Sequence, residues 1–466
     1  MIKMTELKLY NTLTRKKEVF KPIKKEEAGM YSCGPTVYWF QHIGNMRAYL
    51  FADALKRVLE YNGYKVKHVI NVTDVGHLTS DADEGEDKME KAAVKEGKSA
   101  EEIAGFYFKV FREDLKKLNI KEPSVWCRAT EHIKEQIELI KKLEEKGFTY
   151  KTSDGIYFNS TKFKDYGKLA RLKIGGLESG KRVAFGEKKH RTDFALWKFS
   201  SPGEKRQQEW KSPWGVGFPG WHVECSAMSM KYLGENFDIH TGGEDHISVH
   251  HTNEIAQSES ATGKKFVDYW MHVAFLLNKG EKVSKSKGGF FTVSELQEKG
   301  YNPLDFRYLC LLTHYRKPLN FSLDNLDAAK NAHRKMIRKI VELKSEKHKG
   351  QDDTEKYEEL FENAINDDLN LSEAIGVVWG MLDDFNFDPK KKLKLLERFD
   401  QVLGLGIKEM KEEKVEASKE ILELVKEREK LRKAKMWADA DIFRERILEK
   451  GFIVSDTDDG PRLEKI

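Results

Sequence analysis

Apolar positions change rhythm along the first part of the chain, and each change predicts an element. Residues 29–38 (Gly-Met-Tyr-Ser-Cys-Gly-Pro-Thr-Val-Tyr) read as a strand that runs into a turn at Gly34-Pro35. From Asn45 to Tyr61 the positions Met46, Tyr49, Leu50, Leu55, Val58 and Leu59 recur at helical spacing, and Gly63 stands where that helix should stop. Residues 64–72 alternate and then turn apolar, as a strand entering a core does. Strand, helix, strand is a βαβ unit, which predicts a parallel sheet with ligand chemistry at the carboxyl ends of its strands. Residues 80–118 are charged and helical with a break at Asp83-Glu84-Gly85, and residues 130–147 predict a helix opening after a Thr130 cap. A hairpin is expected around Asp154-Gly155, and the Lys- and Gly-rich stretch 160–190 reads as loop. Strand pattern resumes at 236–241 and 266–277. Residues 324–450 are helical almost throughout, and Phe452 opens a short tail with a turn at Asp458-Asp459-Gly460.

These elements predict an α/β fold: a Rossmann-type, doubly wound parallel-sheet domain split between residues 1–120 and 200–323, with an inserted connective domain at 121–199. An α-helical bundle is expected at 324–430 and a small C-terminal tail region at 431–466. Composition then narrows the class. The 39% hydrophobic content is ample for several cores, yet no run reaches the roughly 18 apolar residues of a membrane span, so no membrane partner is expected. No secretory signal opens the chain, and its cysteines (Cys33, Cys127, Cys225 and Cys310) make no disulfide framework; a cytoplasmic location fits. A net charge of +5 permits an RNA partner without demanding one.

Three constellations carry chemistry. His42-Ile43-Gly44-Asn45 falls where the first strand gives way to the first helix. There Gly44 lets backbone approach a nucleotide, a helix amino end favours phosphate, and His42 can donate to a phosphate oxygen as charge develops on it. Lys282-Val283-Ser284-Lys285-Ser286, followed by Lys287-Gly288-Gly289, is a basic, hydroxyl-rich loop after a strand. Read as chemistry, it is a clamp in which Lys285 neutralises a departing pyrophosphate. The third is a possible zinc set: Cys33, Cys225, and the helical pair His250 and Glu254, which are four apart and so share a face. His251 rivals His250 at this stage, and His222 and His240 could fix ligand orientation. With no Cys-x-x-Cys pair, spacing alone favours the simpler reading of that set, two buried thiols beside a helical His–Glu pair.

The chain resembles the cysteinyl-tRNA synthetases, a class I aminoacyl-tRNA synthetase family. Cys33-Gly34-Pro35-Thr36-Val37-Tyr38, His42-Ile43-Gly44-Asn45, Gly220-Trp221-His222-Val223-Glu224-Cys225-Ser226-Ala227-Met228 and Gly242-Gly243-Glu244-Asp245 carry the likeness. So do His250-His251-Thr252-Asn253-Glu254, Tyr269-Trp270-Met271-His272, the lysine loop, and the later Asp367-Asp368-Leu369-Asn370 and Trp437-Ala438-Asp439-Ala440-Asp441. The resemblance implies one Zn2+ on Cys33, Cys225, His250 and Glu254, with His250 rather than His251 as ligand. It implies catalytic roles for His42, Asn45 and Lys285, and ATP contacts from His42, Gly44, Asn45, Asp245, Lys282 and Lys285. Thr73 and Trp221 are implied to bind the amino acid. The expected partners are L-cysteine, ATP with Mg2+, and tRNA(Cys), with the helical bundle as the tRNA-binding region. Two positions depart from the family's common form: Asn45 replaces the final His of His-Ile-Gly-His, and Val283 replaces Met in the lysine loop. The alternative is a cysteine ligase acting on an amino sugar, which would not need the long helical region. A zinc-stabilised RNA binder would have no use for Lys285 and His42, and a zinc hydrolase would want Glu254 as a base rather than a ligand.

Overall fold

The computed structural model describes residues 5–76, 88–172, 187–200, 206–278, 281–282, 291–411, 417–457 and 460–465. The chain divides into two compact units, Met1–Glu409 and Met410–Ile466.

In the first unit, β1 (Lys8–Asn11) and β2 (Lys16–Val19) pair as an antiparallel hairpin. β3 (Glu27–Ser32), α1 (Ile43–Tyr61) and β4 (Lys65–Val72) form the expected βαβ unit, with β3 and β4 parallel. α2 (Lys88–Glu96) and α3 (Ala100–Lys117) lead to β5 (Val125–Arg128), which pairs with β4. α4 (Ile133–Glu145) precedes an antiparallel sheet of β6 (Thr149–Lys151), β7 (Gly155–Phe158), β8 (Phe194–Phe199), β9 (Trp210–Ser212) and β10 (Gly215–Pro219). α5 (Trp221–Leu233), β11 (Phe237–Gly243), α6 (His250–Thr262) and β12 (Val267–Val273) return the chain to the parallel sheet, whose order is β12-β11-β3-β4-β5. The order reverses between β3 and β11, the place where doubly wound sheets open a crevice for ligands. β13 (Leu276–Asn278), β14 (Glu281–Lys282) and β15 (Leu319–Phe321) make a small separate sheet, with α7 (Val293–Glu298) and α8 (Pro303–Leu311) between its strands. Helices α9 (Leu323–Ser345), α10 (Thr354–Asn366), α11 (Leu371–Asp383) and α12 (Pro389–Leu403) follow. Among the described residues no helix is long and apolar enough to cross a membrane.

The parallel strands are covered on both faces, so Tyr31, Val69, Ile239 and Trp270 are buried and the strands read as apolar runs rather than alternations. α1 is buried nearly all round, and its polar residues are accordingly paired. The Asp53 carboxylate accepts from Arg57 and Arg307, each at 2.7 Å, and Arg307 also donates to the carbonyls of Leu403 and Leu118. Burial works against charge on Asp53, but the two guanidinium groups outweigh it and hold its pKa below the ordinary aspartate value.

Three local expectations shift. α1 begins at Ile43, ahead of the predicted Asn45, because the His42 side chain caps it. α4 does not start from a Thr130 cap: the Thr130 N–H and hydroxyl both donate to Asp74, at 3.0 and 2.8 Å, and a 3-10 turn, Ala129–His132, intervenes. The stretch 266–277 is not one strand but β12 and β13, which belong to different sheets.

The second unit packs α13 (Lys419–Lys433) and α14 (Trp437–Glu449) with the hairpin β16 (Phe452–Thr457) and β17 (Gly460–Lys465) around Ile421, Val425, Ile447, Phe452 and Val454. The tail read from Phe452 is this hairpin; Asp458 and Asp459 of its expected turn lie outside the described residues. Arg428 is buried and holds Asp456 through two bonds, at 2.7 and 2.8 Å. That bond set lowers the Asp456 pKa, so its support is full above the ordinary aspartate range and fades as pH falls through the lowered folded value. Asp456→Ala strands the buried guanidinium and is expected to cost this unit about 1–3 kcal/mol, checked by thermal unfolding at neutral pH.

Candidate active site and metal centre

The site lies where the sheet order reverses. Cys33 follows the last residue of β3; Cys225 sits in the second turn of α5; His250 opens α6 and Glu254 lies one turn on. The ligand atoms of these four fall within 4.8 Å of one another, and all but Cys33 are buried. A second set, Cys33, His240, His251 and Glu254, is equally close and shares two members with the first. The rivalry of His250 and His251 is therefore present in the geometry too.

Hydrogen bonds orient the rings. His222 Nδ1 and His250 Nδ1 are 3.0 Å apart, which aims His250 Nε2 at Glu254 Oε1, 3.1 Å away. His240 Nε2 bonds Glu254 Oε2 at 3.0 Å. His251 Nε2 bonds Cys33 Sγ at 3.2 Å, and its Nδ1 continues to His272 Nε2 at 2.8 Å and from there to Thr12. The rings crowd so tightly that a Cβ on Gly242 would stand 2.6 Å from His251 Cε1 and 2.7 Å from His246 Nδ1. Glu254 Oε1 is buried and its nearest partner is the His250 ring nitrogen at 3.1 Å, so its charge is met by the proton on that ring or by a cation that takes the proton's place. With two thiols, an imidazole and that oxygen converging, the residues fit a soft-to-borderline metal ion.

The electrostatics agree. Burial works against charge on Glu254, yet His240 and His250 bring its pKa to about 2. Burial also opposes a charged His250, but Glu254 and Cys225 lift it to about 10. The hydrogen bond from Cys33 leads in bringing the Cys225 thiol down to about 7, while burial pushes Cys33 well up. Burial holds His251 and His272 far below the usual histidine value and His246 at about 4. The cluster thus offers an anionic carboxylate, a readily ionised thiol, neutral imidazoles at His246, His251 and His272, and a protonated His250 that must shed its proton to ligate a cation.

The other expected residues surround this cluster. The Asn71 amide donates to Thr73 Oγ1 and Thr73 Oγ1 donates to the buried Glu224, both at 3.0 Å. The Thr73 N–H reaches the Pro35 carbonyl, which ties Thr73 to the turn that carries Cys33. Trp221 opens α5 and lies over the His250 ring, centroids 4.4 Å apart and 30° from parallel. Asp245 is exposed in the 3-10 turn Glu244–Ile247 that leaves β11.

His42 is the N-cap of α1. Its Nδ1 accepts from the Asn45 N–H at 3.2 Å, and the Asn45 side-chain oxygen accepts from the His42 N–H at 3.4 Å. An accepting Nδ1 puts the neutral ring's proton on Nε2. A Cβ on Gly44 would stand 2.9 Å from Nδ1 of that ring, so any larger residue there would push the ring from its place. The backbone of Lys282 lies in β14; Lys285 falls outside the described residues. Sequence reasoning did not single out Glu224, His246 or His272, although each stands within or beside a stretch it quoted; for Glu224 and His272, polar residues in a buried helix and strand were the available signal.

Comparison with known proteins bears on all of this. The family described as tRNA synthetases class I (C) catalytic domain matches residues 19–331. Cysteine--tRNA ligase 1 of Burkholderia lata is 50% identical over 98% of this chain and 96% of its own length. Cysteine--tRNA ligase of Thermococcus gammatolerans is 42% identical over 99% of each. Among solved structures, Mycobacterium tuberculosis methionyl-tRNA synthetase in complex with methionyl-adenylate superposes with a TM-score of 0.60 at 15% identity, over 82% of this chain and 92% of that one. At that identity the likeness concerns the fold.

Proposed function

This chain belongs to the cysteine--tRNA ligase family within the class I tRNA synthetases, and from that premise we infer how its own residues activate L-cysteine with ATP and pass it to tRNA(Cys). The observation that carries the reading is the convergence of two thiols, an imidazole and a buried carboxylate at the sheet's switch point, with one of the thiols, Cys33, on the strand-to-helix connection that leads to His42. Cys33, Cys225, His250 and Glu254 hold one zinc ion, which supplies a thiophilic Lewis acid for the substrate sulfur. The first ligand set is preferred to the second because it contains both thiols.

Thr73 donates its proton to Glu224 and accepts from Asn71, so one lone pair is left to accept from the substrate ammonium. Trp221, lying on the His250 ring, closes the pocket over the small side chain. Asp245 takes the ribose or the amino acid. His42, its Nδ1 engaged, donates from Nε2 to a phosphate oxygen, joined by Asn45. Lys282 and Lys285 neutralise the pyrophosphate. The cysteine carboxylate attacks the α-phosphate of Mg2+-bound ATP; a C–O–P bond forms, the bond to the β-phosphate oxygen breaks, and pyrophosphate leaves from cysteinyl-adenylate. The terminal ribose hydroxyl of the tRNA then attacks the carbonyl and AMP leaves.

Apolar pockets separate amino acids that differ by one small group by only about 1–3 kcal/mol. A thiophilic ion held by Cys33, Cys225, His250 and Glu254 would favour a cysteine thiolate over a serine hydroxyl by more than that, which would make an editing site unnecessary. The helices from Leu323 onward and the basic stretch Lys426–Lys433 contact tRNA, and the enzyme works in the cytoplasm. The amino-sugar alternative finds no support among the relatives named above.

Cysteine-dependent exchange of labelled pyrophosphate into ATP tests the adenylation, and charging of tRNA(Cys) tests the transfer. Absence of exchange in zinc-loaded enzyme would sink the reading. Within it, Trp221→Ala is expected to raise KM for cysteine about tenfold and Trp221→Phe about twofold in the same exchange assay, because the lost or reduced ring is the wall of the pocket.

A further inference from the structure

One peptide group sits between the two halves of the nucleotide site. The carbonyl of Ala274 accepts from Arg47 Nη1 at 2.7 Å, and the N–H of Phe275, the other end of the same peptide, donates to Glu244 Oε1 at 2.8 Å. Arg47 is buried in α1, one turn beyond His42. It has further bonds to the Phe275 and Lys317 carbonyls, at 2.5 and 2.6 Å. Glu244 follows β11 directly and precedes Asp245. The chain itself breaks at this peptide: β12 ends at Val273 and β13 starts a different sheet at Leu276. Backbone bonds flank the peptide, from the Ala274 N–H to the Tyr315 carbonyl at 2.9 Å and from the Leu319 N–H to the Phe275 carbonyl at 3.0 Å, while its own C=O and N–H are met by the two side chains.

We propose that Arg47 and Glu244 are positioning residues that grip the Ala274–Phe275 peptide from opposite ends and so hold the phosphate side of the nucleotide site, on α1, in register with the ribose side, on the turn after β11. Neither needs to touch substrate. A peptide that both hold lets neither half drift, and geometry errors of about 1 Å at a reacting centre lower rates steeply. The inference rests on the adenylation reading given above.

Glu244 is only half-buried, so its removal leaves the fold intact. In pyrophosphate exchange, Glu244→Ala is expected to raise KM for ATP about tenfold while KM for cysteine stays within about twofold, the selective loss that follows from one charge-assisted bond acting on the nucleotide alone. Metal per chain and the thermal midpoint should not move. Glu244→Gln should restore the ATP value, since its amide oxygen still accepts the Phe275 N–H. Arg47→Lys should give the same selective rise, and the Arg47→Lys, Glu244→Ala double variant should lose less than the product of the single losses, because both act through one peptide. An unchanged ATP KM in Glu244→Ala, an equal rise for both substrates, a glutamine variant no better than alanine, or fully multiplicative losses would each overturn the proposal. Native enzyme that performs no exchange brings down the adenylation reading and this inference with it; native enzyme that exchanges normally beside any of those four results brings down this inference alone.

Discussion

Cys225→Ser is expected to leave the enzyme without its metal and to cut cysteine-dependent pyrophosphate exchange by about a thousandfold or more, the loss anticipated when a ligand that selects the substrate is removed. Serine nearly matches cysteine in shape, and α5 stays packed through the buried neighbours Val223 and Met228, so folding is retained. What changes is ionisation. The Cys225 thiol, with a pKa near 7, gives up its proton at neutral pH, whereas a serine hydroxyl does not. Elemental analysis of the purified variant, beside its exchange rate and thermal midpoint, measures all three consequences. The overlap of the two ligand sets makes the comparison sharper. Cys33 belongs to both sets and Cys225 to one. Loss of metal in both Cys33→Ser and Cys225→Ser assigns the ion to Cys33, Cys225, His250 and Glu254. Loss in Cys33→Ser alone would move it to His240 and His251 and refute the assignment argued here.

The parts legible in the sequence were those in which local pattern and buried environment say the same thing. β3, α1 and β4 announced themselves because α1 has a stripe of apolar residues and the strands are apolar runs between turn residues. His250 and Glu254 could be put on one face because helical spacing alone dictates it. What escaped was decided by contacts far apart in the chain. Thr130 looks like an N-cap, but Asp74, 56 residues earlier, claims both its N–H and its hydroxyl. β5 is four residues long, too short to show a period, and it lies within the span read as insertion although it pairs with β4 in the central sheet. The break between β12 and β13 has no glycine or proline to mark it; the Ala274–Phe275 peptide is turned instead by Arg47 and Glu244. Nor could spacing choose between His250 and His251, because both imidazoles do reach the cluster.

His42 raises the same question at the other end of the site, since one ring is asked to be both a helix cap and a phosphate donor. The two roles use different nitrogens. Nδ1 accepts the Asn45 N–H, which leaves the proton on Nε2. They can therefore be separated by substitution. Asparagine is among the best N-cap residues and can replace the Nδ1 acceptor, but it has nothing at the position of Nε2. His42→Asn should accordingly keep its thermal midpoint and its KM for cysteine while exchange slows by about a hundred- to a thousandfold, the cost of removing one donor aimed at developing charge. His42→Ala removes the cap as well and should add a stability loss of about 1 kcal/mol. If His42→Asn instead exchanges at the native rate, the imidazole serves α1 alone. The negative charge that builds on ATP would then have to be met by the amino end of α1, Asn45 and the lysines, with Gly44 conserving room for a ring that does no chemistry.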